Sequence, residues 1–207
     1  YAYDNEGIWQ DTPEDRAEMQ KWNDNGYDFS PGNVRPKDQN GDYAMDDKDR
    51  VVLGNQNPKW TMGWTNNFSY KGIELGITMF GRMGYMVSTG GEALTSHSNQ
   101  HKVDYWTPDN PGAEFHKPIL AQATYGSADK FSSLLGYKDA SFVKVRNISL
   151  GYNIPKSIYT KAGLSHLKLY AQVINPFSLY QSIGWYDLDV NKTYFKRSFV
   201  FGIEIGF

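Results

Sequence analysis

The stretch Lys59-Trp60-Thr61-Met62-Gly63-Trp64-Thr65-Asn66-Asn67-Phe68-Ser69-Tyr70-Lys71-Gly72-Ile73-Glu74-Leu75-Gly76-Ile77-Thr78-Met79 decides the fold. Every second residue from Trp60 reads Trp, Met, Trp, Asn, Phe, Tyr, and those between read Thr, Gly, Thr, Asn, Ser. A period of two puts the two sets on opposite faces of a β-strand, one large and apolar, the other small and polar. Lys71-Gly72 makes a two-residue hairpin turn, with Gly supplying a positive φ. Ile73, Leu75, Ile77, Met79 and Met83 then resume the apolar face against Glu74, Gly76, Thr78 and Arg82, while Phe80 and Gly81 break the pattern. Strands are predicted over 58–70 and 73–84.

The same alternation recurs three times downstream. Ile148, Leu150, Tyr152 and Ile154 oppose Asn147, Ser149, Gly151 and Asn153, predicting a strand over 141–154 whose first half is spoiled by Lys144 and Arg146. Leu167, Leu169, Ala171 and Val173 oppose Lys168, Tyr170 and Gln172 over 166–174. Phe199, Phe201, Ile203, Ile205 and Phe207 share one face of a last strand over 195–207. The connections alternate between long and short: 1–57, the 71–72 turn, 85–140, 155–165 and 175–194. Structureless loops beyond about 15 residues are uncommon in compact soluble domains, whereas outer-membrane barrels pair short periplasmic turns with long outside loops. A strand of about 9–11 residues crosses a bilayer when tilted.

Composition supports an all-β protein. Among 207 residues there are 20 Gly and no Cys, and 15% are aromatic. Lack of Cys excludes disulfide frameworks, thiolate zinc sites and Cys nucleophiles. A formal net charge of −2 offers no basic field for nucleic acid. No apolar run approaches the 18 residues of a membrane helix. Residues 1–50 hold 13 acids and 6 bases and are rich in Asn, Asp and Gly, which predicts a polar loop region ahead of the strands. The expected fold is the last five strands of a large antiparallel transmembrane β-barrel with long extracellular loops. The first 57 residues then comprise the end of a strand and an extracellular loop, and 58–207 the barrel strands. Five strands cannot close a membrane barrel, which needs roughly eight, so either several chains complete one barrel or the chain is a piece of a larger protein, and the expectation is a C-terminal piece.

Several motifs carry a resemblance. Asp38-Gln39-Asn40-Gly41-Asp42 with Asp46-Asp47, Asp49-Arg50 and Asn57-Pro58-Lys59 forms an acidic loop leading into a strand. Trp106-Thr107-Pro108-Asp109-Asn110-Pro111, Phe142 to Tyr152 with Pro155, Asn175-Pro176-Phe177 and the ending Phe201 to Phe207 follow in order. Together they resemble the C-terminal end of the SusC/RagA family of TonB-dependent outer-membrane transporters. The resemblance implies a 22-stranded barrel with a plug and a SusD/RagB-like surface lipoprotein. It also implies import of oligosaccharides or peptides driven by the TonB complex, with the plug and the earlier strands outside this sequence.

Candidate site residues follow from both readings. Asp38, Asn40, Asp42, Ala44, Asp46 and Asp49 occupy positions 1, 3, 5, 7, 9 and 12 of a calcium loop, Ala44 through its carbonyl. Tyr43 stands where Gly is usual and Asp49 where Glu is, and the same residues suit a solvated loop of Asx turns. Trp60, Trp64, Phe68, Tyr70, Tyr152, Phe199 and Phe201 are expected as a membrane-facing aromatic girdle. Phe207 resembles the outer-membrane insertion signal. Trp106, Trp185 and Tyr186, in loops, are candidates to contact substrate or lid, or to pack the loops together. His97 and His101 lack the flanking Glu of a zinc helix, and Glu74 and Glu204 suit a wet lumen. With no nucleophile triad, phosphate loop or dinucleotide fingerprint, no enzyme is expected. Two alternatives share parts of this pattern: a secreted, calcium-stabilised β-sandwich carbohydrate-binding module, and a passive porin or adhesin barrel.

Overall fold

The computed structural model describes residues 1–89, 103–118, 127–184, 186–190, 193–194 and 196–207, with the backbone alone for 127–129, 186, 193 and 194. His97, His101 and Trp185 lie outside the described residues. Two compact units emerge, Tyr1–Gln56 with Met86–Lys138, and Asn57–Tyr85 with Asp139–Phe207.

The second unit is a five-stranded sheet. Its strands are β1 (Trp60–Tyr70), β2 (Ile73–Met83), β3 (Phe142–Asn153), β4 (His166–Gln181) and β5 (Ser198–Gly206). They run in the order β5-β4-β3-β2-β1, antiparallel throughout. Lys71 (φ 47°) and Gly72 (φ 87°) both take the left-handed conformation that a two-residue hairpin demands. Strand β4 continues past the expected end at Ile174. Asn175 adopts φ 53° and Pro176 follows it, and pairing to β3 resumes at Phe177 after a register shift. A bulge is where a sheet tolerates Pro, which has no N–H to give the ladder. Among the described residues no helix is long and apolar enough to cross a membrane, which says nothing of strands.

The first unit holds a helix and a core that the sequence pattern of residues 1–57 does not show. Helix α1 spans Pro13–Asp24, with Thr12 accepting the Asp15 N–H at 3.2 Å and Pro13 opening the helix. Its only buried residues are Met19 and Trp22, which join Trp9, Phe29, Val34, Met45, Phe131 and Leu134 in a core. Trp22 meets Tyr27, Phe29 and Tyr43 edge-on at 5.2, 5.7 and 5.8 Å between ring centroids. Such pairs contribute about 0.5–1.5 kcal/mol each beyond the area they bury. Charged residues outnumber apolar ones in this unit's first half, but a few large rings suffice to build a core.

Candidate functional site

The sheet carries two faces of opposite character, and its register shows how. Phe68, Leu75, Leu150, Ala171 and Phe201 form one row across all five strands, and Tyr70, Ile73, Tyr152, Leu169 and Ile203 the next. This apolar face is open. Trp60, Trp64, Phe68, Tyr70, Tyr152, Phe199 and Phe201 are exposed by 40% to 78%, and clustered exposed aromatics of this kind mark a surface that meets lipid or protein.

The opposite face is polar and partly self-satisfied. Near the β1–β2 turn, Glu74 accepts from Asn153 at 2.7 Å and pairs with Lys168, while Gln172 donates to Asn147 at 2.7 Å. Glu204 lies 3.7 Å from His166. An open cleft of about 460 Å³ is lined here by Asn67, Glu74, Ser149, Lys168, Tyr170 and Glu204. Gly151 and Gly202 make room for their neighbours, since a Cβ on them would lie 2.8 Å from the Lys168 stem and 2.2 Å from the Tyr170 ring.

At the other end of the same face sits a denser group. Pairing of β2 with β3 steps from Thr78↔Asn147 to Met79↔Val145, leaving Arg146 as the extra residue of a bulge. The bulge moves Lys144 onto the polar face opposite Phe80. Lys144 is buried, 1% exposed, and donates to both oxygens of Asp187 at 2.8 and 3.0 Å. Its Nζ is also 3.3 Å from Asp189. Arg146 grips Asp189 with two bonds of 2.8 and 2.6 Å, and its guanidinium lies 3.6 Å from the Phe80 ring centroid. Burial pushes the Asp189 carboxyl up, but the Arg146 bonds and the two cations outweigh it and hold the pKa below the usual aspartate value. Phe142 tilts against Phe80 at 6.1 Å, and Arg82 stands 5.4 Å from the same ring. Sequence reasoning missed this group. The irregularities at Phe80, Lys144 and Arg146 were its only trace.

The acidic loop closes on its own backbone. Asp38 accepts the N–H groups of Asn40, Gly41 and Tyr43 at 3.1, 2.7 and 2.8 Å. Asn40 accepts from Asp42, and Asp42 from Ala44, at 3.0 and 2.9 Å. Asp49, wholly buried, accepts from Gln39 and Asp46, both at 2.9 Å. Tyr43 takes φ 58°, the left-handed backbone that the Gly of a calcium loop supplies. Burial raises the Asp38 pKa, but the N–H bonds from Tyr43, Gly41, Asn40 and Asp42 together bring it below the ordinary value. Among the described residues no group of three or more Asp, Glu or His side chains is gathered as for a metal ion.

The remaining candidates are scattered. Trp106 is buried in the first unit, with its indole N–H donating to Gln10 at 2.9 Å. Tyr186 lies on the short strand Tyr186–Asp187. Phe207 is 95% exposed beyond β5, and its carbonyl accepts from the Ser165 hydroxyl at 3.2 Å.

No family model matches the chain. Among curated proteins it is similar to TonB-dependent receptor P3 of Formosa agariphila, 28% identical over 82% of this chain. TonB-dependent receptors P26 and P39 of the same organism are 24% and 26% identical over 67% and 70% of it. The chain spans 16%, 14% and 15% of these three relatives' own lengths. Among solved structures, its fold matches the RagAB peptide transporter with a TM-score of 0.57 and 17% identity, over 88% of this chain and 22% of the other. The RagAB peptide importer in its open-open state matches with a TM-score of 0.56 and 16% identity, over 100% of this chain and 22% of that one. The curated relatives bear out the resemblance to TonB-dependent receptors, and the RagAB transporter structures share the fold of this chain. These relatives are receptors and transporters by name.

Proposed function

We propose that this chain is the C-terminal wall of a TonB-dependent importer in the bacterial outer membrane. The observation that carries this reading is the apolar face, continuous across five hydrogen-bonded strands and bearing large exposed side chains on strands β1 to β5. An apolar sheet face of that breadth suits lipid, and a sheet in lipid must close on itself because an unpaired edge leaves backbone groups unsatisfied. The sheet's outer strands β1 and β5 would thus pair with further strands of one barrel, 22 in the family that the sequence resembles. In this reading β1, β3 and β5 descend to the periplasm, where Phe207 serves as the insertion signal. Segments 1–57, 85–140 and 175–194 lie outside beneath a SusD/RagB-like lipoprotein, and the import of oligosaccharides or peptides is energised through a plug contacted by TonB. Ca²⁺ at Asp38, Asn40, Asp42, Ala44, Asp46 and Asp49 would stiffen an external loop.

The test is the intact mass and solubility of the native polypeptide. A detergent-requiring species roughly five times this length, as a plugged 22-strand barrel needs, supports the reading. A 23.6 kDa species soluble without detergent overturns it and favours a secreted binding module.

A further inference from the structure

We propose that Arg82 and Phe80 form a recognition site for a carboxylate group on the imported molecule; this rests on the importer reading above. Charges in the neighbouring group are balanced, with Lys144 and Arg146 taken up by Asp187 and Asp189. Asp139 accepts hydrogen bonds from the Ser141 hydroxyl and amide at 2.7 and 3.3 Å. Arg82 differs. No carboxylate among the described residues lies within ion-pairing distance of it, and its guanidinium rests 5.4 Å from the Phe80 ring centroid. Arg146, held by Asp189, lies 3.6 Å from that ring and anchors it from within the balanced group.

Within this chain the floor beside the ring is clear. Gly63 pairs with Phe80 across β1 and β2, and a Cβ built on Gly63 would meet nothing within 4 Å. Thr61 pairs with Arg82 and Thr65 with Thr78, so hydroxyl-bearing residues flank that opening on the same face. An open floor, an aromatic wall and one uncommitted guanidinium suit an acid attached to a carbon skeleton. The planar fork matches a carboxylate bidentately, and the ring excludes water from one side of the ion pair. An acidic peptide side chain and a uronate sugar share this chemistry.

The test uses the full-length importer with its lipoprotein. Binding is compared for a Glu-containing tetrapeptide and its Gln counterpart, and for a trigalacturonate and its methyl ester. The wild type should bind at least one acidic probe about tenfold more tightly than its neutral counterpart, and which one identifies the source. Arg82→Met should abolish that preference and Arg82→Lys keep part of it. Should Arg82→Met not fold, Gly63→Glu decides, because it sets a carboxylate on the open floor and should remove the preference with Arg82 intact. A wild type indifferent to charge, or a preference that survives Arg82→Met or Gly63→Glu, overturns the site. Outer-membrane fractionation and uptake of the neutral probes keep the two readings apart. A protein that imports without regard to charge sinks only this site, and a protein absent from the outer membrane sinks the importer reading as well.

Discussion

Arg146 and Asp189, 43 residues apart in sequence, are joined by two hydrogen bonds of 2.8 and 2.6 Å beside a wholly buried lysine. The pair ties the segment after β4 to the polar face of β3, and Lys144 ties the same segment a second time through Asp187. The consequences can be measured.

Lys144 and Asp187 are 1% and 3% exposed, so neither charge can turn to water if its partner is lost. Lys144→Ala is predicted to cost about 3–5 kcal/mol, whereas the double replacement Lys144→Met with Asp187→Leu should recover most of the loss. Unfolding of the full-length protein from lipid vesicles in denaturant measures both. A single variant as stable as the wild type would contradict the buried pair.

Asp189 titrates below the ordinary aspartate value once folded. A depressed folded pKa means that its stabilisation is present above the unfolded value, about 3.9, and is lost as pH falls through the folded one. The segment 182–190 should therefore become pepsin-sensitive below about pH 4. In Asp189→Asn that dependence should be flat.

Gly32 sits at φ 87°, and a Cβ there would lie 2.5 Å from the Trp106 ring. Gly32→Ala is predicted to destabilise the first unit by about 2 kcal/mol or more, through backbone strain and a clash with a packed indole. Tryptophan fluorescence during unfolding reads the change, and an unaltered midpoint would refute it.

Trp64 and Thr65 are consecutive in β1 and lie on opposite faces. If the apolar face meets lipid, Trp64→Arg near the strand's middle should cost about 2–4 kcal/mol, while Thr65→Lys is tolerated. Outer-membrane yield of the two variants compares them directly. Equal yields would count against a membrane wall.

Calcium provides a fifth measurement. If the acidic loop holds Ca²⁺, millimolar calcium should slow amide exchange at Gly41 and Tyr43, and Asp38→Ala should abolish the effect. Exchange indifferent to calcium in the wild type would leave a loop held by its own Asx turns.

The sheet was legible in the sequence because a strand's faces are a local property. Trp60 to Tyr70 and Ile73 to Met79 alternate without help from any distant residue, and their register in the sheet matches that alternation. Helix α1 was not legible, since Met19 and Trp22 are its only buried residues and no helical period shows. The core that covers them draws on Trp9, Phe29 and Phe131, which nothing in the local pattern brings together.

Five strands, an apolar and a polar face, and the turn at Lys71-Gly72 are written locally in the chain, because alternation and turn chemistry act between neighbours. The burial of Lys144, the place of Arg146 in a bulge and the position of Arg82 beside Phe80 come from long-range packing. Those outcomes depend on Asp187 and Asp189 arriving from the far end of β4, and a contact across 43 residues leaves no periodic trace in the chain.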